Sequence, residues 1–156
     1  MRLPALTVWQ PWASLIAIGA KPYEFRRWSA PRAYRGKRIA VHAGARPIRK
    51  EELRDLILRL RDEGAMGTAL VVEPALELLD RVLTSPGILP LSHVVCTAIL
   101  GVPERATELV PAGLADSDRI DHSIWAWPLT AIQHLEPPRP AKGAQGFWTW
   151  HGGDSA

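Results

Sequence analysis

The sequence predicts an α+β fold, a small β-barrel or curved sheet with roughly two to four flanking helices, in a single domain over residues 1–156. Three observations point there. Short runs rich in β-branched and aromatic residues are scattered along the chain. Segments of helical periodicity separate them. No linker, internal repeat or low-complexity tail divides the chain.

Each element has its own justification. "ALTVW" (5–9) has strand composition, with Pro11 soon after. "QPWASLIAIG" (10–19) predicts a helix, because Pro11 suits a first turn, apolar positions recur at helical spacing and Gly19 supplies a stop. "YEFRRW" (23–28) alternates side-chain classes at period two and predicts a strand. "KRIAVHAG" (37–44) predicts a strand with an apolar centre, opened by the turn "YRG". The clearest helix is "RPIRKEELRDLILRLRDEG", where Leu53, Ile57 and Leu60 share a face with Leu56 beside them and Gly64 closes it. "EPALELLDRVL" predicts a further helix with Pro74 in its first turn, and "TSPGILPLS" a loop. "HVVCTAILGV" (93–102) is a continuous apolar run bounded by turn residues, as in a buried strand. "ERATELVPAGLADSDRIDH" is polar and loop-like, "SIWAWPLTAIQHLE" gives one strand or two broken at Pro128, "PPRPAKGAQG" is a loop and "FWTW" a last short strand.

Composition bounds the function. At 47% apolar and 22% charged, the chain is globular rather than disordered. No apolar run approaches the ~20 residues that span a bilayer. "MRLPALTVWQPW" lacks a signal-peptide core. Cys96 is the single cysteine, so no internal disulfide framework forms. The expectation is a cytoplasmic protein with no membrane partner. Net charge is only +3, yet Lys21 to Lys50 holds ten Lys or Arg residues against one acid, Glu24. Such a block is the electrostatic footprint of a phosphate-backbone binder, or else a solvated basic face. Seven tryptophans are many for this length, and one or two beside a basic groove could stack a base.

The segment "GAKPYEFRRW" gathers an ammonium, a carboxylate and two guanidinium groups around aromatic residues. With its surroundings it resembles the opening of the ASCH domain (activating signal cointegrator homology), a family of the PUA-like superfamily. The family pattern G-x-K-x-x-E-x-R is met by Gly19, Lys21, Glu24 and Arg26. "QPWASL", "YRGKRIAVHA", "AILGVPE" and "KGAQGFW" are similar to further blocks of the family, in the same order. The resemblance covers most of the chain except residues 64–91, which are expected to be a helical insertion. It implies a PUA-like pseudo-barrel with a cleft lined by the Lys/Glu/Arg motif. The implied role is RNA or nucleoside binding or, in the alternative, metal-independent hydrolysis: an N4-acylcytidine amidohydrolase or a ribonuclease. Fold resemblance does not choose among these.

The candidate residues follow. Lys21 carries its proton in water at neutral pH, so a base role needs burial or neighbouring guanidinium groups to displace it, and Glu24 opposes this. The bland reading is a Lys21–Glu24 ion pair that orders the turn. The family's amidohydrolases place a threonine where this chain has Glu24, which leaves the nucleophile unassigned. Glu104, in "GVPE", is the candidate proton shuttle. The expected catalytic set is therefore Lys21, Glu24 and Glu104. Arg26 and Arg27 point opposite ways on a strand; a guanidinium fork suits a phosphate or base edge, and Arg26 is the better candidate for the ligand side. Gln10, Trp12, Trp28, His42, Lys142 and Gln145 complete the expected substrate-binding set, against ordinary roles as helix cap, core and loop residues. No cofactor or metal is expected: no Cys/His set has zinc spacing, and His93 and Cys96 would face opposite sides of a strand.

Overall fold

The computed structural model describes residues 2–109 and 124–152. Among them seven strands and four helices follow one another: β1 (Leu3–Val8), α1 (Trp12–Ala17), β2 (Tyr23–Arg26), β3 (Arg38–Ala43), α2 (Lys50–Thr68), α3 (Val72–Thr84), β4 (His93–Leu100), β5 (Glu104–Arg105), α4 (Ala106–Leu109), β6 (Trp125–Pro140) and β7 (Phe147–Trp150). The loop-like reading of "ERATELVPAGLADSDRIDH" falls mostly on residues 110–123, outside the described residues; its first six form β5 and α4.

The strands make one mixed sheet in the order β2-β6-β4-β3-β1-β7, with β5 also on β6. β1 and β3 run parallel and the other pairs antiparallel. A parallel pair needs a crossover, and α1 with β2 lies in that connection. The class is α+β. The expected closed barrel is corrected: among the described residues no ladder joins the end strands β2 and β7. The reason is strand length. β2 spans four residues and pairs with Trp125–Pro128 of β6, while β7 pairs with Leu3–Leu6 of β1. Side chains cross the remaining gap. Arg26 Nη2 of β2 donates to the Thr7 carbonyl of β1 at 2.9 Å, and Trp127 of β6 stacks on Phe147 of β7 with centroids 5.9 Å apart.

Period-two alternation divides the strand residues between two faces. Leu6, Val8, Ile39, Val41, Val95 and Leu100 join Ala13 and Ile16 of α1 in the principal core. The opposite residues Ala5, Ala40 and Val94 pack with Trp150. Cys96, buried within the principal core, has its thiol pushed up to about 12 by desolvation. Residues 64–91 are an integral layer of the helices. Leu70, Ala75, Leu78, Leu79 and Val82 share one cluster with Leu53, Leu56, Ile57 and Leu60 of α2 and with Leu15 and Ala20 beside α1.

Two boundaries depart from expectation, at Gly64 and in "PPRPA", and of the two readings of "SIWAWPLTAIQHLE" the single strand is observed. Gly64 does not end α2. It makes a kink at φ 61°, after which the helix resumes to Thr68, whose Oγ1 donates to the Gly64 carbonyl at 2.8 Å. Pro128 does not break β6, because it sits where the strand passes from β2 to β4 and its missing N–H falls outside both ladders' needs. "PPRPA" is strand to Pro140 rather than loop. Beyond Pro128, β6 pairs with β4 on one side alone among the described residues, and such an edge tolerates proline. No helix of the described residues is long and apolar enough to cross a membrane.

Candidate nucleotide-binding cleft

Gly19 sets up the site. At φ 81° it ends α1, and the Ala20 and Lys21 amides then both donate to the Leu15 carbonyl. This tight turn places Lys21 inside the protein rather than on its surface. The Lys21 side chain is 1% exposed, its Nζ 4.7 Å from the Phe25 ring centroid, 5.3 Å from that of Trp12 and 3.9 Å from Glu24 Oε1. Two aromatic faces and a carboxylate suit an ammonium ion.

Glu24 and Arg26, two apart on β2, point to the same face. Arg26 Nε and Nη2 both donate to Glu24 Oε2, at 2.9 and 2.8 Å, and Nη2 also reaches the Thr7 carbonyl. The result is a chain Lys21–Glu24–Arg26–Thr7 across the gap in the sheet. Two cations flank one carboxylate, so the group is cationic on balance. Its Arg26 end is 23% exposed and borders solvent.

That end opens into a cleft of about 1070 Å³. Glu24, Phe25 and Arg26 form part of its wall together with Trp9, Trp12 and Trp28. Thr7 and His42 border it too, as does the loop from Ala141 to Gly146. Of the expected site residues, Trp12, Glu24, Arg26, Trp28, His42, Lys142 and Gln145 therefore converge here. Lys21 stands behind the wall, sealed by Trp12 and Phe25.

Three do not join them. Gln10 is buried as an internal cap: its Nε2 donates to Ser14 Oγ and the Pro90 carbonyl, and its Oε1 accepts the Ser14 N–H. No amide edge is left to read a base. Arg27 is exposed, follows the last residue of β2 and lies outside the lining. Glu104 is exposed on β5. Since β2 and β5 pair with opposite edges of Trp125–Ala126, the whole of β6 separates Glu104 from Glu24.

The floor rests on a hydrogen-bond relay. The Ala141 carbonyl can only accept, so His42 Nε2 carries the proton in the 2.7 Å contact between them. In the neutral ring Nδ1 then accepts from the Thr7 hydroxyl at 3.1 Å, and Trp148 Nε1 donates to that hydroxyl at 3.1 Å. Burial holds the His42 ring below the ordinary histidine range, against the Ala141 hydrogen bond and helped by His93. Gly143 lies directly over this relay: a Cβ there would sit 2.6 Å from Thr7 Oγ1 and 2.7 Å from His42 Nδ1. The relay therefore fixes the loop that carries Lys142 and Gln145.

Much of the basic block is occupied internally. Arg35 holds the Ala30 carbonyl and Ser29, Arg38 holds Thr97 and the Ala131 carbonyl, and Arg46 pairs with Glu52. The sequence concentration of charge is thus not one continuous cationic surface. Thr7, Trp9, Arg46, Gly143 and Trp148 are the site components that sequence reasoning missed. Trp9 alone carried a signal, as an aromatic beside the "QPW" block; the rest are defined by contacts between distant strands. Among the described residues no group of three metal-ligating side chains gathers. No protein-family model and no curated protein matches the chain.

Proposed function

We propose that this cleft binds a nucleobase and its attached phosphate, as an ASCH-type, PUA-like domain acting on RNA or a nucleoside. The observation that carries this reading is the combination at one wall: three tryptophans beside a guanidinium that a buried carboxylate holds in place. Indole faces stack any base, while a fixed guanidinium supplies the charged fork that phosphates and base edges accept. The match of Gly19, Lys21, Glu24 and Arg26 to the family pattern supports the same reading.

Binding is favoured over hydrolysis. Lys21 lies behind Trp12 and Phe25, and Glu104 lies across β6, so the three expected catalytic groups do not face one substrate. The test incubates the protein in EDTA with N4-acetylcytidine and with single-stranded RNA, following tryptophan fluorescence and product release. The expected result is saturable quenching with both substrates intact, weakened at least tenfold by Arg26→Ala. Deacetylation or cleavage abolished in Lys21→Ala would establish the hydrolase instead. Absence of any binding would remove the reading.

A further inference from the structure

Trp9 is 37% exposed and Trp28 54% exposed, yet both line the cleft. An indole is a large apolar surface to leave in water, and two on one cleft require an account. They come from different parts of the sheet: Trp9 follows β1 and Trp28 follows β2.

Trp9 is held at its ring and Trp28 at its backbone. The Arg46 guanidinium lies 4.2 Å from the Trp9 ring centroid, and both arms of that guanidinium bind Glu52 of α2. Arg46 is not among the cleft-lining residues, so it backs the ring from outside the cleft. The Trp28 carbonyl accepts the buried Trp127 indole N–H at 3.1 Å, which pins the backbone while the Trp28 ring stays exposed. A ring whose position is set before binding loses little freedom when a base stacks on it.

The size of the cleft bears on the ligand. At about 1070 Å³ it slightly exceeds the roughly 300–1,000 Å³ typical of pockets for a whole drug-sized molecule. One nucleoside, smaller than such a molecule, leaves much of it empty. Cations accompany the two indoles: Arg46 behind Trp9, and Arg26 and Lys142 in the cleft lining. Stacking platforms interleaved with cations are the pattern that recognises a single strand.

We infer that the ligand is a single-stranded segment of at least two nucleotides, one base stacked on Trp9 and another on Trp28, rather than a free nucleoside. This inference rests on the nucleobase reading of the cleft. It makes Glu52 a positioning residue, acting through Arg46 on the Trp9 ring.

The experiment compares the full chain's affinity for uridine 5′-monophosphate, diuridylate and an eight-nucleotide oligouridylate by fluorescence titration and anisotropy. The oligonucleotide should bind at least tenfold more tightly than the mononucleotide. Trp9→Ala and Trp28→Ala should each weaken it by roughly 5- to 150-fold, as loss of one stacked base does. Trp9→Phe and Trp28→Phe should restore most of the affinity, with thermal melts confirming that every variant folds. Glu52→Gln should weaken the oligonucleotide in wild-type protein and have no effect in a Trp9→Ala background. Equal affinity for mononucleotide and oligonucleotide would overturn the inference and leave the nucleobase reading standing. Binding of neither would remove that reading as well. Oligonucleotide binding unaffected by both alanine variants would place the strand elsewhere.

Discussion

Glu24→Ala should cost far more stability than Lys21→Met, although both changes break the same ion pair. In the wild-type protein one carboxylate serves two cations: Lys21 Nζ at 3.9 Å and Arg26 Nη2 at 2.8 Å. Removing it takes the shared carboxylate from a lysine whose side chain is 1% exposed and from the guanidinium beside it. Breaking a buried pair by removing one partner costs about 3–5 kcal/mol, and the partial exposure of Arg26 points to the lower end. Lys21→Met keeps an unbranched stem against Trp12 and Phe25, where a thioether packs well, and leaves Glu24 bound to Arg26. Replacing a buried charge by an apolar group of similar volume costs about 1 kcal/mol or less. The difference is about 2 kcal/mol. With a urea m-value of roughly 1–3 kcal/mol/M, that separates the two midpoints by about 1 M. Urea titrations of the three proteins, followed by far-UV circular dichroism, measure it. A Lys21→Met midpoint as low as that of Glu24→Ala would refute the argument that the carboxylate is the shared element.

Two further outcomes follow from the relay under the loop. Gly143→Ala places a methyl group 2.6 Å from Thr7 Oγ1, against a ring held on both its nitrogens. Overpacking of this kind costs about 1–3 kcal/mol, so its thermal midpoint should fall and amide exchange around Ala141 should quicken; an unchanged midpoint would show that the loop has room to lift. For His42, the folded ring holds its proton less tightly than the ordinary value of 6.5 in the unfolded chain. The unfolded chain therefore binds more protons in the window below 6.5, so the stability that His42 contributes is complete above that pH and is lost as pH falls through the lower folded-state value. His42→Gln, which keeps a donor for the Ala141 carbonyl, should flatten the stability–pH curve on the acid side of 6.5.

The sequence by itself determined the local elements and the spacing of the charged residues at the cleft wall. The apolar centre of "KRIAVHAG", helical spacing over Leu53, Ile57 and Leu60, and the stop at Gly19 are readable because each depends on residues a few positions apart. The same holds for the Lys21, Glu24 and Arg26 set, whose spacing puts Glu24 and Arg26 on one face of a strand. What only the tertiary structure decided depends on residues far apart in the chain. A lysine becomes a buried ion because Trp12 and Phe25 close over it. Glu104, expected at the site from the sequence, is carried across β6 by strand pairing. Prolines that signal a loop stand in a strand because among the described residues β6 is paired on one edge alone there. Half of a basic block is spent on internal carbonyls and acids. Thirty-five residues separate Thr7 from His42, and most of the chain's length separates Thr7 from Trp148. Hydrogen bonds and burial at that separation are set by which strands meet, and no local pattern records it.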